Sequence, residues 1–176
     1  AYSKADTLKP DHIWTLRHLA TCHRQLRNYE QALEYYRKVE AIQPENLNLL
    51  FLMGSCLAEL QHYDEALQYF FKMDFMESNC LKAWRAIAWC SLVCGKTEQA
   101  ARYYEKILNT DKTVATDYLN AGHTAWIQGD TDRAATLYGQ ALSASEGTAN
   151  FLEMFHKDRE ILIHLGIQRK DIPLMI

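Results

Sequence analysis

Residues 98–104 read EQAARYY, and the same pattern returns at 30–36 as EQALEYY, at 64–70 as DEALQYF and at 132–138 as DRAATLY. Ala32, Ala66, Ala100 and Ala134 therefore stand 34 residues apart. An aromatic follows each alanine by four residues (Tyr36, Phe70, Tyr104, Tyr138), and an acid precedes each by two (Glu30, Asp64, Glu98, Asp132). One step back from Tyr36 lies Tyr2, and Cys22, Cys56 and Cys90 keep the same interval in another phase. A fixed period of this length marks an array of repeated supersecondary units, each burying its apolar face against the next.

Composition makes those units helical. The 176 residues include 22 Leu and 20 Ala but only 3 Val and 10 Ile, with 7 Gly and 3 Pro. Few turn formers and few β-branched residues leave little material for strands. Turn signals at Arg27-Asn28, Gln61-His62, Gly95-Lys96 and Gly129-Asp130 cut each unit into a helix hairpin. The pattern predicts first helices near 12–26, 46–60, 79–94 and 113–128, with partners near 29–41, 63–75, 97–109 and 131–144. Ser145-Glu146-Gly147-Thr148 breaks the pattern before one ninth helix, 149–165.

The period and its residues resemble the tetratricopeptide repeat, whose pattern is W-x2-L-G-x2-Y…A-x3-F…P. The second repeat shows Leu50-x2-Met53-Gly54-x2-Leu57 before Ala66-x3-Phe70, and the third shows Trp84-x2-Ile87-Ala88-x2-Ser91 before Ala100-x3-Tyr104. The fourth shows Tyr118-x2-Ala121-Gly122-x2-Ala125 before Ala134-x3-Tyr138; the first shows Leu16-x2-Leu19-Ala20-x2-His23, then Ala32-x3-Tyr36 and Pro44. The missing turn tyrosines, and the missing prolines after the later repeats, depart from the family pattern. The resemblance implies an all-α, right-handed superhelical α-solenoid of helix-turn-helix repeats. Its repeats would span 12–45, 46–79, 80–113 and 114–147, followed by a capping helix and apolar tail at 148–176. Residues 1–11 then read as the tail of a preceding, truncated repeat, so the chain is expected to be a piece of a longer array.

Charge and motifs exclude several functions. A balance of 19 basic against 22 acidic residues, net −3, lacks the excess of a nucleic-acid binder. The longest apolar-rich stretch, 47–58, falls short of the roughly 20 residues of a membrane span. Five cysteines without framework spacing read as reduced thiols in a cytoplasmic protein. There is no phosphate loop, no nucleophile elbow and no ligand set for a metal, so neither an enzyme nor a cofactor is expected. His18 and His23 are five apart and face different ways on a helix; His156 and His164 are about 12 Å apart along one.

What remains is recognition. In the family, with the residue that opens the W-x2-L-G motif counted as the fourth, the second, fifth, ninth and twelfth positions line a concave groove. The resemblance therefore assigns Trp14, Arg17, Thr21 and Arg24, then Asn48, Phe51, Ser55 and Ala58, to that groove. Lys82, Arg85, Trp89 and Leu92, then Thr116, Leu119, His123 and Trp126, complete the set, and none is acidic. The expected partner-binding residues are Arg17, Thr21, Arg24, Phe51, Ser55, Lys82, Arg85, Trp89, Leu119, His123 and Trp126. Basic members would pair with carboxylates, and Phe and Trp would offer flat apolar area. The pattern with which family members grip chaperone carboxyl termini is not matched at Thr21, Leu52 and Ala86. The function these residues imply is a protein–protein interaction module or adaptor that holds a peptide segment. The alternatives are a secretion-type chaperone holding an apolar cargo segment, and a scaffold domain of a larger enzyme or regulator. The apolar ninth helix and the tail Ile172–Ile176 suggest self-association or docking of the tail.

Overall fold

Arg27, Gln61, Gly95 and Gly129 hold left-handed backbone, with φ of 59°, 62°, 76° and 85°. Each ends a helix in the same way. The left-handed residue's N–H bonds three residues back and the next N–H bonds five back, as in Gln61→Ala58 and His62→Leu57 or Gly129→Trp126 and Asp130→Ala125. This is the Schellman closure, which satisfies the last carbonyls of a helix and reverses the chain. The 34-residue period of the sequence is thus a period of helix stops.

The computed structural model describes residues 10–172, which form ten α-helices and no strand. The first helices of the four hairpins are α1 (Pro10–Gln25), α3 (Leu47–Glu59), α5 (Leu81–Val93) and α7 (Ala115–Ile127). Their partners are α2 (Tyr29–Glu40), α4 (Tyr63–Met76), α6 (Thr97–Leu108) and α8 (Thr131–Ala144). All eight fall where the spacing predicts them. Expectations for residues 1–9, Tyr2 included, and for 173–176 lie outside the described residues.

The recurring letters have separate jobs. Ala32, Ala66, Ala100 and Ala134 are fully buried, and the aromatics that follow them nearly so. The recurring acids sit in the first turns of α2, α4, α6 and α8, where a negative charge faces the positive end of the helix dipole. Gly54 and Gly122 admit the rings of Phe70 and Tyr138. A Cβ there would meet ring carbons at 2.6 Å and 2.5 Å.

The described chain divides after Ser78 into two compact units. In the first, α1 packs on α2, α2 on α3 and α3 on α4. In the second, α5 packs on α6, α6 on α7 and α7 on α8. The expected single ninth helix is two segments, α9 (Thr148–Lys157) and α10 (Arg159–His164). At Asp158 the N–H bonds to Phe155 O, three residues back, which tightens the turn between them. Phe151, Phe155, Leu162 and Ile172 are buried in one cluster with Leu119, Trp126 and Tyr138. The inward stripe of α9 and α10 is therefore consumed inside the second unit.

The cysteines are free, as the sequence suggests; Cys22 is exposed, whereas Cys56 and Cys90 are buried. Burial pushes the Cys56 and Cys90 thiols up to about 11 and about 12, which leaves both protonated and inert at neutral pH.

Candidate functional site

In the first unit the assigned residues lie along α1 and α3, Trp14 and Asn48 exposed and the others half-exposed. The Thr21 and Ser55 hydroxyls donate to Arg17 O at 2.8 Å and Phe51 O at 2.7 Å, back-bonds within their own helices. Arg17 donates through Nη2 to Gln43 Oε1. Arg24 has its Nε buried without a hydrogen-bond partner. Phe51 lies against Phe70 with ring centres 6.0 Å apart. Trp14, one turn before His18, is 64% exposed and tilts onto that imidazole at 3.9 Å.

The second unit holds a cleft of about 540 Å³, lined by residues of α5, α6, α7 and α9 together with Val114 and Asp158. Arg85, Trp89 and Leu119 of the assigned set meet there, with Thr116 beside them. Lys82, exposed, precedes Arg85 by almost one turn of α5. The other three members are corrected by the structure. Leu92, His123 and Trp126 are buried, 1%, 1% and 7% exposed, and present no surface to a partner. Phe155 covers the last two, its ring centre 5.3 Å from that of His123 and 6.4 Å from that of Trp126. Leu119, fully buried, forms floor rather than rim.

Arg85 is also partly committed. Its Nε donates to Asp117 Oδ1 at 2.9 Å, and its Nη2 donates to Asp117 Oδ2 at 2.7 Å and to Lys112 O at 2.8 Å. Asp117 in turn accepts the Val114 N–H at 3.0 Å, closing the first turn of α7. The hydrogen-bonded carboxylate raises the Arg85 pKa further, so the guanidinium is charged at every accessible pH. This pair ties α5 to the start of α7.

Asp158, at the other end of the cleft, faces the buried imidazole. The Tyr138 hydroxyl lies 2.9 Å from His123 Nδ1, and Asp158 Oδ2 lies 3.5 Å from Nε2. Burial lowers the His123 pKa against the opposing pull of Asp158. A neutral ring protonated at Nε2 suits both neighbours: the hydroxyl donates to Nδ1 and the N–H points to the carboxylate. Burial raises the Tyr138 pKa as well, which keeps that hydroxyl a donor.

Sequence reasoning missed Tyr104, Asp117, Asn120, Met154, Lys157 and Asp158, all of which line the cleft. Asn120 sits one position past the assigned Leu119, and the last three belong to the C-terminal segment, read as a cap and a site of self-association or tail docking. The signal that would have found them is continuation of the first-helix face from α7 onto α9. Among the described residues no group of His, Cys, Asp and Glu is arranged to hold a metal ion. No helix among them is long and apolar enough to cross a membrane.

Two family models match the chain. That of anaphase-promoting complex, cyclosome, subunit 3 covers residues 3–73, and that of the tetratricopeptide repeat covers residues 118–148. No curated protein matches. Among solved structures, MamA from Desulfovibrio magneticus RS-1 superposes with a TM-score of 0.76 at 16% identity, over 94% of this chain and 89% of that one. TTC0263, a thermophilic TPR protein of Thermus thermophilus, gives 0.67 at 17%, over 92% and 86%. YrrB, described as a TPR protein with an unusual peptide-binding site, gives 0.69 at 19%, over 76% and 69%. These likenesses establish an all-α repeat solenoid fold.

Proposed function

The chain belongs to the tetratricopeptide-repeat family, and on that premise we propose that it is a protein–protein interaction module holding a peptide segment of its partner. The observation that carries this reading is the cleft of the second unit, where half-exposed Arg85 and Trp89 stand over an apolar floor. A cleft of about 540 Å³ falls within the ~300–1,000 Å³ of sites that enclose small ligands or a few side chains. Arg and Trp are the side chains that most often anchor interfaces. In the first unit, Arg17, Thr21, Arg24, Phe51 and Ser55 occupy the same repeat positions and are half-exposed. The peptide-binding site of YrrB, a protein of the same fold, is consistent with this use. The chain acts by recognition and carries out no chemistry of its own.

Selection from a phage-displayed random dodecapeptide library tests the reading. Wild type is expected to enrich a consensus, and the doubly substituted Phe51→Ala, Trp89→Ala protein to lose it while keeping its helical circular dichroism. Enrichment of no sequence above background by wild type would overturn it.

A further inference from the structure

The charges around the cleft are sorted by depth. Both carboxylates are turned inward: the Asp117 side chain is 5% exposed and held by Arg85 and the Val114 N–H, and that of Asp158 is 15% exposed and lies 3.5 Å from the neutral His123 ring. The cations lie outside. The Arg85 side chain is 37% exposed and Lys157 on α9 is exposed. An approaching chain therefore meets the two cations before the two carboxylates, although the protein as a whole carries −3. Beneath those cations the walls are apolar, with Trp89 from α5, Leu119 from α7 and Met154 from α9. Two polar groups break the floor. The Tyr104 hydroxyl is buried with no hydrogen-bond partner, and so is the Asn120 side-chain oxygen, a costly state for an acceptor. A ligand N–H supplied to that oxygen would remove its cost.

We propose that this cleft, with α9 as its third wall, is a binding site for an acidic peptide segment carrying one large apolar side chain. The apolar side chain enters between Trp89 and Met154, flanking Asp or Glu side chains meet Arg85 and Lys157, and a peptide N–H faces Asn120. The inference rests on the interaction-module reading and narrows it to one ligand chemistry. It also gives α9 a role beyond capping, because Met154 and Lys157 come from that helix alone. Charge at the rim governs the approach and excludes basic segments, and the apolar pocket provides the grip.

Three fluorescein-labelled nonapeptides test it by anisotropy on the whole chain. The first has Asp or Glu at eight positions around a central Leu, the second has Ser in place of that Leu, and the third has Lys at the eight positions. The first is expected to bind at least tenfold more tightly than either of the others. Lys157→Glu is expected to weaken it at least tenfold, and Lys170→Glu, an equal charge change outside the cleft, to shift it less than twofold. Lys157 is exposed, so its substitution leaves folding intact; Met154→Ser gives a second, uncharged check and should cost the first peptide its advantage over the second. Equal affinity for the Leu and Ser peptides, or equal losses from Lys157→Glu and Lys170→Glu, would overturn the proposal. Failure of the acidic peptide while library-selected peptides of other composition bind would overturn it and leave the interaction-module reading standing. Failure of every library peptide would remove both.

Discussion

Arg27 and Gln61 occupy left-handed backbone at positions where the third and fourth repeats carry Gly95 and Gly129. A side chain in that conformation costs about 1 kcal/mol, which glycine avoids. Arg27→Gly and Gln61→Gly are therefore expected to stabilise the chain by about 0.5–1 kcal/mol each in urea unfolding. The helical glycines give opposite signs. Gly122→Ala drives a Cβ into Tyr138 and should cost about 1–3 kcal/mol. Gly139→Ala, on α8 with open space where its Cβ would lie, should gain about 0.5–1 kcal/mol in helix propensity. Equal effects at Gly122 and Gly139 would contradict the close packing described here. His123 supplies a pH signature. Its folded pKa lies below the ordinary value of about 6.5, so the unfolded chain takes up the proton first. The stability that depends on the neutral ring is present above about pH 6.5 and is lost as the pH falls below it. The limiting slope for one proton is about 1.4 kcal/mol per pH unit. Urea midpoints of wild type and His123→Gln between pH 7.5 and 5.5 should show a steeper fall for wild type.

At the scale of elements, α7 is tethered at its start. Its first turn is closed by Asp117, and Asp117 is held by Arg85 from α5. Arg85→Ala leaves a buried carboxylate with only a backbone N–H. About 1–3 kcal/mol of destabilisation is expected, with faster hydrogen exchange at amides 115–118. Arg85→Lys should recover only part of it, since an ammonium cannot reproduce the two-point fork. This tether was not legible in the sequence, because Arg85 and Asp117 are 32 residues apart, out of step with the repeat. The helices themselves were legible because the local letters agree: an acid at the start, a small residue against an aromatic in the middle, and a left-handed stop at the end. Position 123 was misread as groove for a related reason. Repeat phase gives the direction in which a first helix points, but the next element along the chain decides whether that face stays open. After the fourth repeat that element is α9, whose Phe155 closes over His123 and Trp126. Its apolar stripe was visible in the sequence, and its target was not.

At the scale of the molecule, the two units carry different forms of the same surface. The first displays Arg17, Arg24 and Phe51 on half-exposed helices, and the second gathers Arg85, Trp89, Asn120 and Lys157 around a cleft. The second unit owns a core that runs from Ala88 and Leu92 to Phe155, Leu162 and Ile172. Residues 79–176 alone are therefore expected to fold, with helical circular dichroism and a cooperative melt; a non-cooperative melt would show that the core needs residues 1–78. The working surface is tested most directly by nuclear magnetic resonance, titrating the 15N-labelled chain with a peptide selected from the library. Shifts are predicted at the Trp89 indole, the Asn120 side-chain amide and the backbone of Lys157. Shifts confined to the exposed residues of α6 and α8, such as Arg102 and Gln140, would place recognition on the second helices of the hairpins and contradict the account.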